Sequence, residues 1–174
     1  MTGARAATPL IVTAALPRDL HRWATALRRE HYPPERNVLE AHVTLFHGLP
    51  PSLEAEARRE LARMGAANRP VPARLAGLRA LGDGGTAIEL HSPSMLRLRD
   101  ELAERFHGML SAQDSHPPRL HITIQNKVSP AAAKALRAVL EPVLDRRDFA
   151  FIGLSLHAYE GGPWRLLGHW PFRG

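Results

Sequence analysis

The chain has 174 residues, of which 44% are hydrophobic, and this is enough for the core of a single domain. The absence of cysteine excludes disulfides, thiolate catalysis and metal sites that use cysteine. The formal net charge is +6, and 21 of the 23 basic residues are arginine, because only Lys127 and Lys134 are lysine. Arginine suits planar contacts with phosphate, and a solvated basic surface is the alternative explanation.

No segment reaches the roughly 20 consecutive apolar residues of a membrane span. The apolar run Leu10–Leu16 ends at Pro17 and lacks the small-residue cleavage site of a signal peptide. We therefore expect a soluble cytoplasmic protein that does not associate with a membrane.

The predicted elements of the first half follow the order strand, helix, strand, helix, strand, turn. They are the buried strand Leu10–Ala15, a helix that starts at Pro17, the strand Glu40–Phe46, a helix after Pro51, the strand Val71–Leu81 with Gly77 inside it, and the turn Gly82–Gly85. The second half repeats this order with the strand Thr86–His91, a helix that starts at Ser92-Pro93, the strand Arg119–Gln125, a helix that starts at Ser129-Pro130, the strand Phe149–Tyr159 with Gly153 inside it, and the turn Glu160–Pro163. A last strand, Trp164–Trp170, closes the chain.

The shared order predicts a duplicated βαβαβ-like unit, that is, one domain over residues 1–174 made of two pseudo-symmetric lobes. The repeats cover residues 9–82 and 86–160, and the closing strand covers residues 164–170. Short strands joined partly by hairpins favour an α+β fold with two mainly antiparallel sheets and helices packed outside them. Residues 1–8 are expected to form a poorly ordered tail.

One short pattern occurs at the same place in both repeats. It reads Ala41-His42-Val43-Thr44-Leu45 and, 79 residues later, Leu120-His121-Ile122-Thr123-Ile124. Alternate side chains of a strand leave opposite faces, so each copy places one imidazole beside one hydroxyl, with apolar residues on the other face. Chance easily explains one His-x-Thr, but two copies at equivalent positions indicate a site with one half in each repeat.

Two imidazoles can act as a base and an acid near neutrality, because an unperturbed histidine titrates near pH ~6.5. Threonine hydroxyls donate hydrogen bonds to negatively charged oxygens without titrating. Phosphodiester cleavage needs a base on the attacking oxygen, an acid on the leaving oxygen and donors on the non-bridging oxygens. Two histidines without a carboxylate cluster are too few to ligate zinc, so we expect no metal and no other cofactor.

The two motifs, their separation and the duplicated plan resemble the 2H phosphoesterase superfamily, specifically the LigT-like 2′-5′ RNA ligase / RNA 2′,3′-cyclic phosphodiesterase family. The family pattern is two copies of His-x-Thr/Ser-x with apolar x, and His42–Leu45 and His121–Ile124 match it completely. The resemblance implies a bilobal fold with a cleft between two antiparallel sheets and both motifs on central strands at its floor. It also implies a monomer that hydrolyses RNA-end or nucleotide 2′,3′-cyclic phosphates without a metal, and whose reverse reaction forms a 2′-5′ RNA linkage.

The resemblance assigns four residues to the chemistry: His121 as the base on water, His42 as the acid on the leaving ribose oxygen, and Thr44 and Thr123 as donors to the phosphate. Further residues are candidate substrate contacts, each with an ordinary structural role as the alternative. They are Arg119 on the His121 face of its strand, Lys127 after the second motif, and Tyr159 and Trp164, which flank the last turn and could stack a base. Of the other histidines, His157 has a strand position from which it could line the cleft.

The chain departs from the family after each motif. Many relatives have an aromatic residue five positions after the first histidine, whereas here Phe46 comes one residue earlier and is followed by His47. Polar Gln125–Lys127 follows the second motif. Two alternatives therefore stay open: a small-molecule cyclic phosphodiesterase of the ADP-ribose 1″,2″-cyclic phosphate type, and an RNA-end-binding module without turnover. A pure binding module would not need two proton carriers.

Overall fold

A computed structural model describes residues 8–174, and its elements follow the predicted order. The strands and α-helices are β1 (Leu10–Ala15), α1 (Arg18–His31), β2 (Val43–Leu49), α2 (Glu54–Ala67), β3 (Val71–Ala80), β4 (Thr86–His91), α3 (Pro93–Arg105), β5 (His121–Gln125), α4 (Pro130–Leu140), β6 (Asp148–Phe151), β7 (Gly153–Ala158) and β8 (Arg165–Pro171). Single 3-10 turns precede α2 and follow α4. Apart from Thr8, the predicted tail lies outside the described residues. None of the helices within residues 8–174 has the length and apolar character needed to cross a membrane.

The strands form two antiparallel four-stranded sheets, which confirms the predicted α+β fold. Sheet A has the order β2-β1-β7-β8, and sheet B has the order β5-β4-β3-β6. Each sheet combines strands from both halves of the chain, because β1 pairs with β7 and β4 pairs with β3. The strand orders correspond one to one when β2 and β1 are matched with β5 and β4.

The two motif strands, β2 and β5, lie at the edges of different sheets, so the expectation of central strands is wrong. The two edges approach each other, since β2 and β5 are in direct contact. The motifs are therefore central in the molecule although each lies at the edge of its own sheet. Helix α1 links the two strands: it packs against β5, and the loop after it leads into β2. The two motifs therefore come together without belonging to one hydrogen-bonded sheet.

Burial along both motifs alternates in the same way. Every second residue from Ala41 to Leu45 and from Leu120 to Ile124 is buried, and the intervening histidines and threonines are half-buried. The apolar side chains thus enter the core while each imidazole and hydroxyl stay on the accessible face, as the predicted alternation requires. The first strand begins at Val43 instead of Glu40 and continues to Leu49, so His42 lies immediately before it.

The predicted strand Phe149–Tyr159 is wrong as a single element, because the chain changes sheets at Ile152. Asp148–Phe151 pairs with β3 in sheet B, whereas Gly153–Ala158 pairs with β1 in sheet A. Gly153 is required at the crossing, since a Cβ atom there would lie 2.7 Å from the Trp170 carbonyl oxygen. Local sequence pattern favours an extended backbone on both sides of the crossing and does not reveal the change of partner.

The predicted helix starts at Ser92 and Ser129 are confirmed. The Ser92 hydroxyl accepts a hydrogen bond from the Met95 backbone N–H at 3.2 Å, and the Ser129 hydroxyl accepts one from the Ala132 N–H at 3.1 Å. A proline follows each serine at the first helical position, where its missing N–H costs nothing. These caps fix where α3 and α4 begin behind sheet B.

Candidate active site

The two motif histidines are held by the same hydrogen bond. His42 Nδ1 lies 2.8 Å from the Glu40 carbonyl oxygen, and His121 Nδ1 lies 2.7 Å from the Arg119 carbonyl oxygen. A carbonyl oxygen only accepts hydrogen bonds, so Nδ1 carries the proton in both rings. Nε2 of each ring is therefore the atom available for proton transfer.

Burial lowers the pKa of both motif histidines. The pKa of His42 falls from 6.5 to about 4, mainly because burial disfavours the imidazolium, and the positive charge of Arg28 acts in the same direction. Burial is also the largest cause of the lowered pKa of His121, and the charge of Arg79 adds to it. The charge of His121 contributes to the shift of His42, so the two rings are close enough to interact electrostatically. Both rings are neutral at pH 7 in the unliganded protein.

Arg28 of α1 connects the two motifs. Its side chain is 3% exposed, and it donates from Nη1 to the Thr123 carbonyl oxygen at 2.8 Å and from Nε to the Leu39 carbonyl oxygen at 3.1 Å. Leu39 lies in the loop that leads to His42, whereas Thr123 belongs to the second motif. One buried guanidinium thus fixes the distance between the two half-sites.

Residues paired across the strands extend each half-site over its sheet, because directly opposed residues point to the same face. The row in sheet A runs through Thr44, Thr13, Ser155 and His169. The row in sheet B runs through Thr123, Ala87 and Arg79. Ser155 and Arg79 occupy corresponding places, so a neutral hydroxyl on one side of the site is matched by a guanidinium on the other.

The larger of the two cavities beside the motifs, about 520 Å³ in volume, has His42 in its wall. The Trp164 ring centroid lies 4.6 Å from that of His42 and 5.5 Å from that of His157. His157 Nε2 is 3.0 Å from the Thr13 hydroxyl, which fixes the ring beside the tryptophan. The rest of the lining is largely apolar and consists of residues such as Val38, Leu39, Ile152 and Leu166. This cavity suits a flat, partly apolar group.

The smaller cavity, about 270 Å³ in volume, contains Thr44 of the first motif and His121 of the second, so both sheets line it. His47 also lines it, with its Nδ1 3.2 Å from a carboxylate oxygen of Asp114. Asp114 is 1% exposed and accepts the backbone N–H groups of His47 at 2.8 Å and Gly48 at 3.0 Å. Burial alone would raise the pKa of Asp114, but the hydrogen bonds from His47 and Gly48 hold it below its ordinary value. The carboxylate is therefore charged and orients the His47 ring.

Two of the four candidate substrate contacts line a cavity beside the motifs, and two do not. Trp164 lines the larger cavity, and Arg119 lines the smaller one, where it forms an ion pair with Glu89. Lys127 has a left-handed backbone (φ 60°), is exposed and lines neither of these cavities. Tyr159 is 44% exposed beyond the end of β7 and also lines neither.

Three residues of the site carry no motif in the sequence: Thr13, Arg79 and Asp114. Arg79 lies two residues after Gly77, as Ser155 lies two residues after Gly153, and this spacing was the available signal. His47 had a signal too, since the family resemblance leads one to expect an aromatic residue at its position. Asp114 lies in a loop without pattern, so nothing in the sequence connects it with His47. Among the described residues, no group of three or more His, Asp and Glu side chains is placed to hold a metal ion.

Comparison with known proteins identifies related sequences and folds. A family profile described as the 2′-5′ RNA ligase superfamily matches residues 16–163. A solved protein of Thermus thermophilus superimposes with a TM-score of 0.69 at 19% identity, over 95% of this chain and 98% of that one. E. coli LigT complexed with 3′-AMP gives a TM-score of 0.61 at 19% identity, over 97% of this chain and 99% of that one. LigT complexed with NADP+ gives 0.58 at 18% identity, over 95% and 98%. A comparison with curated proteins found no match.

Proposed function

We propose that this chain, which belongs to the 2′-5′ RNA ligase superfamily, hydrolyses 2′,3′-cyclic phosphates at RNA ends or on nucleotides. The paired geometry of His42 and His121 carries the proposal, because each ring binds a carbonyl through Nδ1 and keeps Nε2 for proton transfer. Opening a cyclic phosphodiester requires one proton to be removed and one to be supplied. Two equally oriented imidazoles match this requirement.

In the proposed step, a water oxygen forms a bond to phosphorus while His121 Nε2 removes its proton. The bond between phosphorus and one ribose oxygen breaks, and His42 Nε2 supplies the proton that this oxygen needs. Thr44 and Thr123 donate hydrogen bonds to the non-bridging oxygens, where negative charge accumulates. The product is a phosphomonoester. The choice of base and acid follows the family resemblance.

The environment of His42 bears on its role as the acid. Its ring is neutral at pH 7 before substrate binds, since its pKa is lowered to about 4. A bound phosphate favours the imidazolium because opposite charges at close range raise the pKa of a base. The Trp164 ring beside it offers a surface on which a nucleobase can stack. The cavity volume of about 520 Å³ falls within the roughly 300–1,000 Å³ common for small-molecule pockets.

An oligonucleotide that ends in a 2′,3′-cyclic phosphate, incubated with the protein in EDTA and followed by ³¹P NMR, tests the proposal. We expect turnover, and a loss of about 10²–10⁴-fold in each of His42→Gln and His121→Gln, because each proton transfer is required. The double variant should be little worse than either single one, since the two groups act as a unit. His107→Gln is the matched control, because His107 is exposed and lines neither cavity.

Two outcomes would reject the mechanism: no turnover by the wild-type protein, or full activity in both histidine variants. Binding of the cyclic end without turnover would instead favour the alternative of an RNA-end-binding module. Turnover of ADP-ribose 1″,2″-cyclic phosphate in preference to the oligonucleotide would favour the small-molecule alternative. Joining of RNA ends through a 2′-5′ linkage would show that the same two groups also work in reverse.

A further inference from the structure

We infer that the smaller cavity is a subsite for a phosphoryl group on C5′ of the nucleotide whose cyclic phosphate reacts, with Arg79 as its main contact. This inference rests on the proposed function, because it concerns how a 2′,3′-cyclic nucleotide lies across the two histidines. The protein should therefore select substrates that carry a phosphoryl group on C5′ over nucleosides that lack one.

Arg79 has an unused donor in this cavity. Its Nε atom is buried and has no hydrogen-bond partner within residues 8–174. Leaving a buried donor unpaired is costly, and more so on a charged group, because the hydration it has lost is not replaced. The acidic residue nearby, Glu89, is already paired with Arg119. An oxygen anion bound in the cavity would supply the missing acceptor once the guanidinium turns towards it.

The position of Arg79 brings this donor to the reacting groups. Arg79 is in the same cross-strand row as Thr123, and it lines the smaller cavity together with Thr44 and His121. Its positive charge also reaches His121, where it helps to lower the pKa of that histidine. A phosphoryl group that binds Arg79 therefore lies next to the reacting phosphate and on the His121 side of it.

The charges of the two cavities differ. Of the described residues, no arginine or lysine lines the larger cavity, and Glu40 does. Arg79, Arg99 and Arg119 line the smaller one, together with the carboxylate of Asp114. Arg99 is 2% exposed and donates to the Leu45 and Asp114 carbonyl oxygens, so its charge is committed to the fold. Arg119 is paired with Glu89, so Arg79 is the arginine of this cavity left to attract an anion.

The geometry of a nucleotide relates the two cavities to one substrate. In a ribose 2′,3′-cyclic phosphate the base on C1′ and the group on C5′ leave opposite ends of the sugar. If the base stacks on Trp164 in the larger cavity, the C5′ end is directed towards the smaller cavity, where His121 and Arg79 lie. Aromatic stacking and phosphate binding are then satisfied at the same time.

His47 provides a second polar group at this subsite. Its Nδ1 is oriented by the buried Asp114 carboxylate, so Nε2 is left for a ligand in the cavity, where it donates to a phosphoryl oxygen when the ring is the imidazolium. His47 and Arg79 line the same cavity, so the two groups would contact the same phosphoryl group.

The test compares a nucleoside 2′,3′-cyclic phosphate with the same nucleoside carrying a 5′-phosphate monoester and with a dinucleotide whose C5′ oxygen is in a phosphodiester. We expect kcat/KM to be at least about tenfold higher for one or both phosphorylated substrates, as one charge-assisted contact implies. Arg79→Gln should reduce this preference to near unity, and Arg79→Lys should keep part of it. Arg74→Gln, on the same strand but paired with Asp148 and outside both cavities, should keep it in full. Whether the monoester or the diester is preferred distinguishes free nucleotides from RNA chains, and either result supports the subsite.

Absence of a preference in the wild-type protein, or an equal loss on all three substrates in Arg79→Gln, would overturn the inference. If no cyclic phosphate is hydrolysed, the proposed function fails, and the subsite is then judged by calorimetric binding of a nucleoside 5′-monophosphate against the nucleoside alone. Tighter binding of the monophosphate that disappears in Arg79→Gln would preserve the subsite without the activity. Equal binding of both would reject it. If Arg79→Gln does not fold, Arg79→Lys is used instead; a preference between that of the wild type and unity then supports the subsite, and an unchanged preference overturns it.

Discussion

Removal of the Trp164 side chain should raise the pKa of His42. Burial is the main reason that this pKa falls from 6.5 to about 4, and the Trp164 ring lies 4.6 Å from the imidazole. The full shift corresponds to about 3 kcal/mol of penalty on charging the ring, at ~1.4 kcal/mol for each pH unit. Trp164 supplies part of the burial and the charge of Arg28 adds to the shift, so Trp164→Ala should recover about one pH unit as water reaches the imidazole.

The assay is an NMR titration of ¹⁵N-labelled imidazoles, with the His42 signals identified by their loss in His42→Gln. Tyr159→Ala is the matched control, because it removes an aromatic side chain from the same hairpin but outside the cavity. An unchanged or lower midpoint in Trp164→Ala would refute the reasoning, since it would mean that the indole stabilises the imidazolium by a cation–π contact. The same spectra report the tautomer, and a neutral ring protonated on Nε2 would contradict the hydrogen bond to the Glu40 carbonyl.

Three further predictions concern pH and stability. The active form has one motif histidine protonated and the other neutral, and the fraction of protein in this form peaks midway between the two pKa values. Since both pKa values are lowered from 6.5, kcat/KM measured from pH 4 to 9 should peak below pH 6.5. A peak at or above pH 7 would contradict this. Asp114→Asn should lower the free energy of unfolding, measured in urea at pH 7, by about 2 kcal/mol. This difference should shrink as the pH falls below the ordinary pKa of aspartate, because the stability that comes from a lowered pKa is lost when the carboxylate is protonated. An equal difference at pH 3 would exclude the charge as its source. Arg28→Leu should lower the free energy of unfolding by about 3 kcal/mol, because it leaves two partly buried carbonyls unpaired. Replacement of the exposed neighbour, Arg29→Leu, should cost less than about 0.5 kcal/mol. Similar losses in the two variants would show that Arg28 does not connect the half-sites.

The sequence allowed the fold class and the two half-sites to be predicted because both depend on local pattern. Alternation of apolar and polar residues places His42 and Thr44 on one face of a strand, and the same holds for His121 and Thr123. Serine followed by proline marks two helix starts for the equally local reason that a hydroxyl caps the first turn. None of these features requires knowledge of what the strand or helix packs against.

The features that sequence could not predict depend on pairing between distant residues. The chain extends continuously through Ile152, yet its two sides join different sheets, and local propensity is the same for either choice of partner. His47 meets Asp114 although 67 residues separate them. Arg79 enters the site because β3 pairs with β4, which in turn pairs with β5. The order of strands in a sheet depends on the whole chain, so the residues that complete the site are identified only from the three-dimensional structure.

Two similar half-sites must differ for the proposed reaction, because one histidine has to give a proton and the other has to take one. The difference lies in their neighbours. An apolar, aromatic wall covers His42, so its imidazolium is disfavoured and gives up a proton readily once substrate has induced it. Burial, with the positive charge of Arg79 adding to it, keeps His121 neutral and therefore ready to accept a proton. Arg79 is also the proposed contact for a phosphoryl group on C5′. The difference between the corresponding positions, Ser155 in sheet A and Arg79 in sheet B, would therefore orient the substrate relative to the two histidines.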